Sequence, residues 1–380
     1  MKHRLCNKVL GAILMGLIAI IACAPQATPV PLAVPTPTAQ TVAPVKVTPQ
    51  DDAWAKIVEV AKKEGKVTLY TYGYTGDVGI AISKAFEDKY GIKIEMITGL
   101  GAAFLERLKS EKRMGQITGD IVEGNAANTN NMKLEGLTVK VNPDLPVLKE
   151  KDPWVISPFA TDPTDKHILS YTLVVYSPYA NNKFVPQGEE PQVWKDFLDP
   201  KWRGKISAVD PVVAPGLQQL FVVLMREKVV DEEFVKNLGK QNIRFFTAAP
   251  DELRALSRGE QSLTLRGIDI ETASIISAGA PIRVVPMKDG TPIGPNVVAA
   301  VAGAPHPNAA QLFLNWIMTY EGQVVYGQSR KVANMRKDVS DFRPEAIKFT
   351  PQKPILVTPE DVDKASRLFR EKWPNTLWGR

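Results

Sequence analysis

Arg266, in the segment Arg266-Gly267-Ile268-Asp269, is a side chain suited to recognising an anion. A guanidinium pairs bidentately with a carboxylate, phosphonate or sulfonate. Four other segments carry groups of the same binding kind. Tyr72-Gly73-Tyr74-Thr75-Gly76-Asp77 offers two phenols, and its glycines let backbone N–H groups approach a ligand closely. Glu123-Gly124-Asn125-Ala126 presents an amide that both donates and accepts. In residues 210–216, Asp210 precedes backbone donors near Ala214 and Gly216. Gly294-Pro295-Asn296 adds a further amide. The candidate ligand-binding residues are therefore Tyr72, Tyr74, Asn125, Asp210, Gly216, Arg266, Asp269 and Asn296. Each segment also has a plainer alternative: tyrosines packed over a tight turn, a polar turn, a proline-stiffened connection, or an ion pair for Arg266.

Bond-breaking machinery is hard to assemble from this chain. There is no Gly-x-Ser-x-Gly elbow for a serine hydrolase and no His-Glu-x-x-His for a zinc hydrolase. A Gly-x-x-x-x-Gly-Lys-Ser/Thr loop for nucleotide hydrolysis is also missing. Only His167 and His306 lie beyond the first turn of sequence, and His306, between Pro305 and Pro307, reads as a solvated loop residue. Paired carboxylates of the glycosidase kind leave no sequence signature, because their proximity is tertiary. The expectation is no catalytic residue, no metal site and no cofactor, with an exported enzyme kept as a remote alternative.

The elements that must position these residues alternate. Residues 52–64 form an amphipathic helix ended by Gly65, and 66–72 alternate as a strand. A helix follows over 78–90, a strand over 92–97, a helix over 102–113 and a strand over 119–123. This β-α-β-α-β order argues for a mainly parallel sheet covered by helices. A second set begins with a β-rich run at 170–176 and a short helix at 191–197. Strands are expected at 205–209, around Phe245-Phe246 and at 262–265, with helices at 217–227, 231–240 and 251–257. The chain then closes with an apolar β-like run at 296–302 and an amphipathic helix at 308–320. The candidate residues of the first four segments fall where strands give way to helices, the usual place for a ligand in α/β folds. Gly294-Pro295-Asn296 falls just before the returning strand.

The N-terminus says where the protein is sent. Lys2, Arg4 and Lys8 precede an apolar run of 13 residues, 9–21. A bilayer span needs about 20, so the run fits a secretory signal. Ile20-Ile21-Ala22-Cys23 resembles a bacterial lipobox, which implies cleavage before Cys23 and lipidation of its thiol. The other cysteine, Cys6, would leave with the signal, so no disulfide or Cys-ligated metal is expected in the mature chain. Several acyl chains on one residue give stable anchoring. Residues 24–50 are rich in Pro, Thr, Ala and Val, without an acid before Asp51 or any aromatic residue. Such a stretch cannot bury a core and reads as an extended spacer. The net charge of +6 falls to +3 without the three basic residues of the signal, and nothing in it calls for nucleic acid.

Several segments together resemble a known family. Trp54 with Ala61-Lys62-Lys63-Glu64-Gly65-Lys66-Val67 and Tyr70 comes first, then Ala85-Phe86-Glu87 and Tyr90-Gly91-Ile92-Lys93-Ile94. The most specific runs from Trp194 through Asp199-Pro200-Lys201-Trp202-Arg203-Gly204 to Ile206. Gly279-Ala280-Pro281-Ile282, Gly303-Ala304-Pro305-His306-Pro307-Asn308 and Glu321-Gly322-Gln323 complete the ordered series. The chain resembles the extracellular solute-binding lipoproteins of ABC importers, in the group containing ferric-ion, thiamine and 2-aminoethylphosphonate binders. The resemblance implies an α/β, two-lobed periplasmic-binding-protein-like fold, each lobe a mainly parallel sheet flanked by helices and joined by hinge strands. It places the signal at 1–22, the lipidated Cys23 and tether at 23–50, and lobe 1 at 51–170 plus 296–330. Lobe 2 is then 171–295, with a C-terminal helical segment, 331–380, packing on the lobes.

The same resemblance implies a small-molecule solute held between the lobes, ABC permease subunits as partners and a monomer. It also implies export, with the anchor on the outer face of the cell membrane or on the periplasmic side in a two-membrane cell. Ferric binders of this group commonly use an adjacent Tyr-Tyr pair on the second lobe. This chain has no Tyr-Tyr, and residues 265–276 contain no tyrosine. Hard Fe³⁺ prefers several anionic oxygens. An organic anion is therefore the leading solute, ferric iron the alternative, and a ligand sensor uncoupled from transport a further one.

Overall fold

The computed structural model describes residues 49–214 and 216–371. The signal, Cys23 and the tether up to residue 48 lie outside the described residues. Helix α1 (Pro49–Glu64) runs directly into strand β1 (Lys66–Thr71). Gly65 makes the corner at φ 72°, a left-handed conformation that a side chain disfavours. Helix α2 (Gly76–Tyr90) buries Val78, Ile82 and Phe86, spaced by four residues on one face. Strand β2 (Lys93–Thr98), helix α3 (Gly101–Met114), strand β3 (Ile121–Asn125) and helix α4 (Ala126–Leu134) complete the first unit. β1 pairs in parallel with both β2 and β3. It is buried along nearly its whole length, as a central parallel strand must be, whereas β2 at the sheet edge is half exposed.

Strand β4 (Leu169–Asn181) is 13 residues long and leads into the second unit. There follow β5 (Ile206–Val209), α5 (Gly216–Arg226), α6 (Glu232–Leu238), β6 (Arg244–Phe246), α7 (Ala249–Arg258), β7 (Leu263–Ile268), α8 (Asp269–Ser277) and β8 (Ile282–Val284). Strand β9 (Thr291–Ala300) returns, followed by α9 (Pro307–Met318), α10 (Tyr320–Arg330), β10 (Pro354–Leu356) and α11 (Pro359–Glu371). The strand order is β2-β1-β3-β9-β4-β7-β5-β6, with β8 beside β4 and β10 beside β9. β5 pairs in parallel with β6 and β7. β9 is antiparallel to β3 on one side and to β4 on the other, and β4 is antiparallel to β7. β4 and β9 thus join two parallel-stranded halves, and the fold is α/β and two-lobed.

Two apolar cores sit on either side of this joint. One gathers Phe86, Tyr74, Tyr171, Phe313, Trp316 and Tyr326. The other gathers Trp194, Phe197, Trp202, Phe221, Phe234 and, from the C-terminal stretch, Ile355. The helix expected over 191–197 is a 3-10 helix at Trp194–Leu198, and its Trp194 donates from Nε1 to the Gly290 carbonyl at 2.8 Å. The stretch after α10 carries a strand as well as a helix: β10 lies parallel to β9, and α11 packs on α5. His306 is not a solvated loop residue. It is partly buried, and its Nδ1 lies 2.9 Å from the Asp120 carboxylate, whose other oxygen accepts the His306 N–H.

Candidate functional site

The joint between the lobes encloses a cavity of about 630 Å³, within the range that holds a small organic molecule. Its walls are strand ends and helix starts. From the first lobe come Tyr72 and Gly73 after β1, Asn125 at the end of β3, and Ala126 to Asn128 in the first turn of α4. The second lobe contributes Gly216 and Leu217 opening α5, Thr247 to Pro250 at the start of α7, Arg266 and Ile268 of β7, and Ile270 and Glu271 of α8. The joining strands add Val174 and Tyr176 of β4 and Gly294 to Asn296 of β9. Arg330 at the end of α10 and Thr358, Pro359 and Val362 at the start of α11 close the ring. Helix N-termini carry unsatisfied N–H groups and partial positive charge, so five of them around one cavity favour an anion.

A buried carboxylate shapes the first-lobe wall. Glu123 is 2% exposed. It accepts the Tyr72 and Gly73 N–H groups at 3.0 and 2.7 Å, the Thr71 hydroxyl at 2.6 Å and the Tyr171 hydroxyl at 2.7 Å. The turn after β1 is thereby fixed, and Tyr72 stands half exposed at the cavity. Asn125 uses its side-chain oxygen to accept the Asn128 N–H at 2.9 Å, capping α4. Asn125 and Asn296 are paired across β3 and β9, so one register sets two amides side by side.

The second-lobe wall is built around Arg266. Its guanidinium lies over the Tyr176 ring, 4.4 Å from the centroid. It also lies against Gly216, where a Cβ would sit 2.7 Å from the guanidinium Cζ. Tyr176 is held in turn against Gly294, where a Cβ would come within 2.9 Å of the phenol oxygen. Burial raises the Tyr176 phenol, with Arg266 opposing. Glu271 is exposed to the open cavity; desolvation by the surrounding wall raises its carboxyl from the ordinary value, with Arg266 and then Arg330 opposing. Arg330 Nε is buried without a hydrogen-bond partner among the described residues.

Five of the eight candidate ligand residues meet here: Tyr72, Asn125, Gly216, Arg266 and Asn296. Three do not. Tyr74 turns into the first core, 1% exposed, with its ring edge-on to Tyr171 and Tyr326. Asp210 braces the β5–α5 connection, where its carboxylate accepts the Val212 N–H at 2.9 Å. Asp269 is 1% exposed beneath the cavity. It accepts the Val175 and Ile270 N–H groups at 3.2 and 2.9 Å and pairs with Arg343 Nη1 at 3.4 Å. Burial pushes its carboxyl up to about 6, with Arg343 opposing.

Two strand boundaries also move. β7 continues through Ile268, so Arg266 lies within it rather than after it. β9 starts at Thr291, so Gly294-Pro295-Asn296 is inside the returning strand rather than before it. Sequence reasoning missed Tyr176, Glu271 and Arg330. The available signal for Tyr176 was strand alternation, since Val174 and Tyr176 share a face. Among the described residues, no group of three or more His, Cys, Asp or Glu is placed to hold a metal ion.

The two-lobed α/β fold holds a solute-sized cavity at its joint. The chain belongs to the family described as bacterial extracellular solute-binding protein, matched over residues 81–355. It is 27% identical over 194 residues to an uncharacterised protein of Haemophilus influenzae, and spans about half of that relative, 55% of its length. Solved structures share the fold. Iron-bound HitA from Pseudomonas aeruginosa is 21% identical with a TM-score of 0.63, over 80% of this chain and 98% of its own. AfuA from Actinobacillus pleuropneumoniae, bound to fructose 6-phosphate, is 19% identical with a TM-score of 0.62, over 83% and 99%. A Trichodesmium protein in complex with iron and citrate is 18% identical with a TM-score of 0.67, over 81% and 100%.

Proposed function

We propose that this protein captures a small organic anion between its lobes and delivers it to the permease of an ABC importer. One observation carries the solute class: Arg266 and Arg330 both line the cavity, and neither is paired with a carboxylate among the described residues. Both guanidiniums are partly buried, and a partly desolvated cation without a carboxylate partner gains when a ligand supplies its counter-charge. Ferric iron is the competing reading, because two of the similar structures hold iron, one of them with citrate. Against it, Glu271 is the sole carboxylate of the cavity wall among the described residues, in a wall that also carries two guanidiniums, and Fe³⁺ needs several anionic oxygens.

Binding, in this reading, is a population shift: the solute engages one lobe, and contacts from the other stabilise the closed form. The protein performs no bond chemistry, acts as a monomer and is held at the membrane by lipid on Cys23. The lipobox-like Ile20-Ile21-Ala22-Cys23 supports the anchor. Among the described residues no helix is long and apolar enough to cross a membrane.

The test is a thermal-shift and calorimetry screen of residues 51–380 against carboxylates, phosphonates, sugar phosphates, ferric citrate, ferric salt, thiamine and polyamines. A ligand specific to the folded state raises Tm by mass action. Stabilisation by an anion, lost in Arg266→Ala and in Arg330→Ala, is the expected result. Stabilisation by ferric salt alone would overturn it.

A further inference from the structure

Three charged side chains face the cavity among the described residues: Arg266 from β7, Arg330 from α10 and Glu271 from the first turn of α8. Glu271 is in electrostatic reach of both guanidiniums. It is not drawn into an ion pair with either, and while its backbone carbonyl accepts the Ser274 hydroxyl at 3.3 Å, its carboxylate takes no hydrogen bond from a described residue. Its carboxylate is therefore left facing the space a solute would fill. With Glu271 ionised the wall carries one net positive charge, and with Glu271 protonated it carries two.

We infer that Glu271 is a charge selector: ionised it matches the cavity to a monoanion, and protonated it matches the cavity to a dianion. This inference rests on the organic-anion reading above. An incoming dianion in the cavity meets the repulsion of the Glu271 carboxylate that lines it, and like charges at close range oppose binding. Taking up a proton removes that repulsion, so dianion binding and proton uptake are linked. Desolvation by the cavity wall displaces the Glu271 carboxyl upward, the direction that favours taking up a proton.

The other ionisable groups around Glu271 are Tyr176 and Tyr179 on β4, Glu252 on α7, and Asp269 on its own helix with its partner Arg343. Glu252 is itself pushed up to about 8 by burial and so keeps its proton below neutral pH. Asp269 titrates near the range of interest, and a variant must separate it from Glu271.

The experiment uses sulfate and methanesulfonate, a dianion and a monoanion that both stay ionised from pH 5 to pH 7. Isothermal titration of the wild-type protein is run in buffers of different ionisation heat. Sulfate is expected to bind about tenfold more tightly at pH 5 than at pH 7, with measurable proton uptake, and methanesulfonate to change far less. Glu271→Gln is expected to bind sulfate more tightly than the wild type at pH 7, with no proton uptake and no further gain at pH 5. Sulfate affinity independent of pH in the wild type, or a pH dependence retained in Glu271→Gln, overturns the selector while leaving the anion reading intact. Absence of binding by both anions at every pH overturns the selector, while the anion reading is decided by the screen of carboxylates, phosphonates and sugar phosphates. The wild-type proton count stands even if the variant folds poorly.

Discussion

Gly216 and the Arg266 guanidinium are in such close approach that no side chain fits between them: a Cβ on Gly216 would lie 2.7 Å from Arg266 Cζ. The same guanidinium lies over the Tyr176 ring, 4.4 Å from its centroid, so both contacts fix where it stands at the cavity. Gly216→Ala should push Arg266 off Tyr176. A charge-assisted hydrogen bond contributes about 1.5–3 kcal/mol, so sulfate affinity should fall roughly tenfold to a hundredfold. Tm should change little, because alanine favours the helix. Calorimetry reads the affinity; unchanged binding in the variant would show that Arg266 is not held by this contact.

Glu123 is the keystone of the opposite wall. Two backbone N–H groups and two hydroxyls converge on its carboxylate. Glu123→Gln keeps the shape but turns an N–H₂ toward donors that need acceptors. We expect a loss of about 2–3 kcal/mol in urea unfolding and faster amide exchange at Tyr72 and Gly73. Exchange that stays slow at both amides would rule out the clamp.

Glu252 lies 2% exposed beneath β5, its Oε1 2.8 Å from the Ser207 hydroxyl, which also lies 3.2 Å from the Leu263 carbonyl. One hydroxyl has one proton, so a protonated Glu252 donating to Ser207 satisfies both contacts. Burial raises this carboxyl from 4.5 to about 8. The native state then holds a proton that the unfolded chain releases. Stability from this group is complete below about pH 4.5 and is lost as pH rises through about 8. Glu252→Gln should flatten that slope and exceed the wild type at pH 8 by roughly 1–3 kcal/mol. Parallel unfolding curves for the two proteins across this range would contradict the assignment.

The fold was largely legible because alternation of strand and helix is written in local periodicity. The site was legible only where strand ends and glycine turns announce themselves. Tyr72, Asn125 and Gly216 follow that rule. Tyr74 fails it because a turn reverses the side-chain direction within two residues, sending one tyrosine to the cavity and the other to the core. Asp269 sits at the same kind of position as Glu271, yet the first turn of α8 directs one carboxylate beneath the cavity and the other into it. Arg330 lies in the last turn of α10, where a basic residue ordinarily reads as a partner of the helix dipole. Nothing local marks it as facing a cavity more than sixty positions away from Arg266. Side-chain direction and long-range juxtaposition are tertiary facts, and single-sequence periodicity does not encode them.

Strand β9 is bonded to β3, β4 and β10, yet it carries Pro292 and Pro295 in its interior. A proline cannot donate to the ladder and is rare in a central strand. β4 opposite carries a register shift between Ser170 and Thr172. The beam that joins the lobes is thus built with missing rungs. Two prolines and one register shift leave fewer backbone hydrogen bonds to strain when the lobes bend about this joint than an unbroken ladder would.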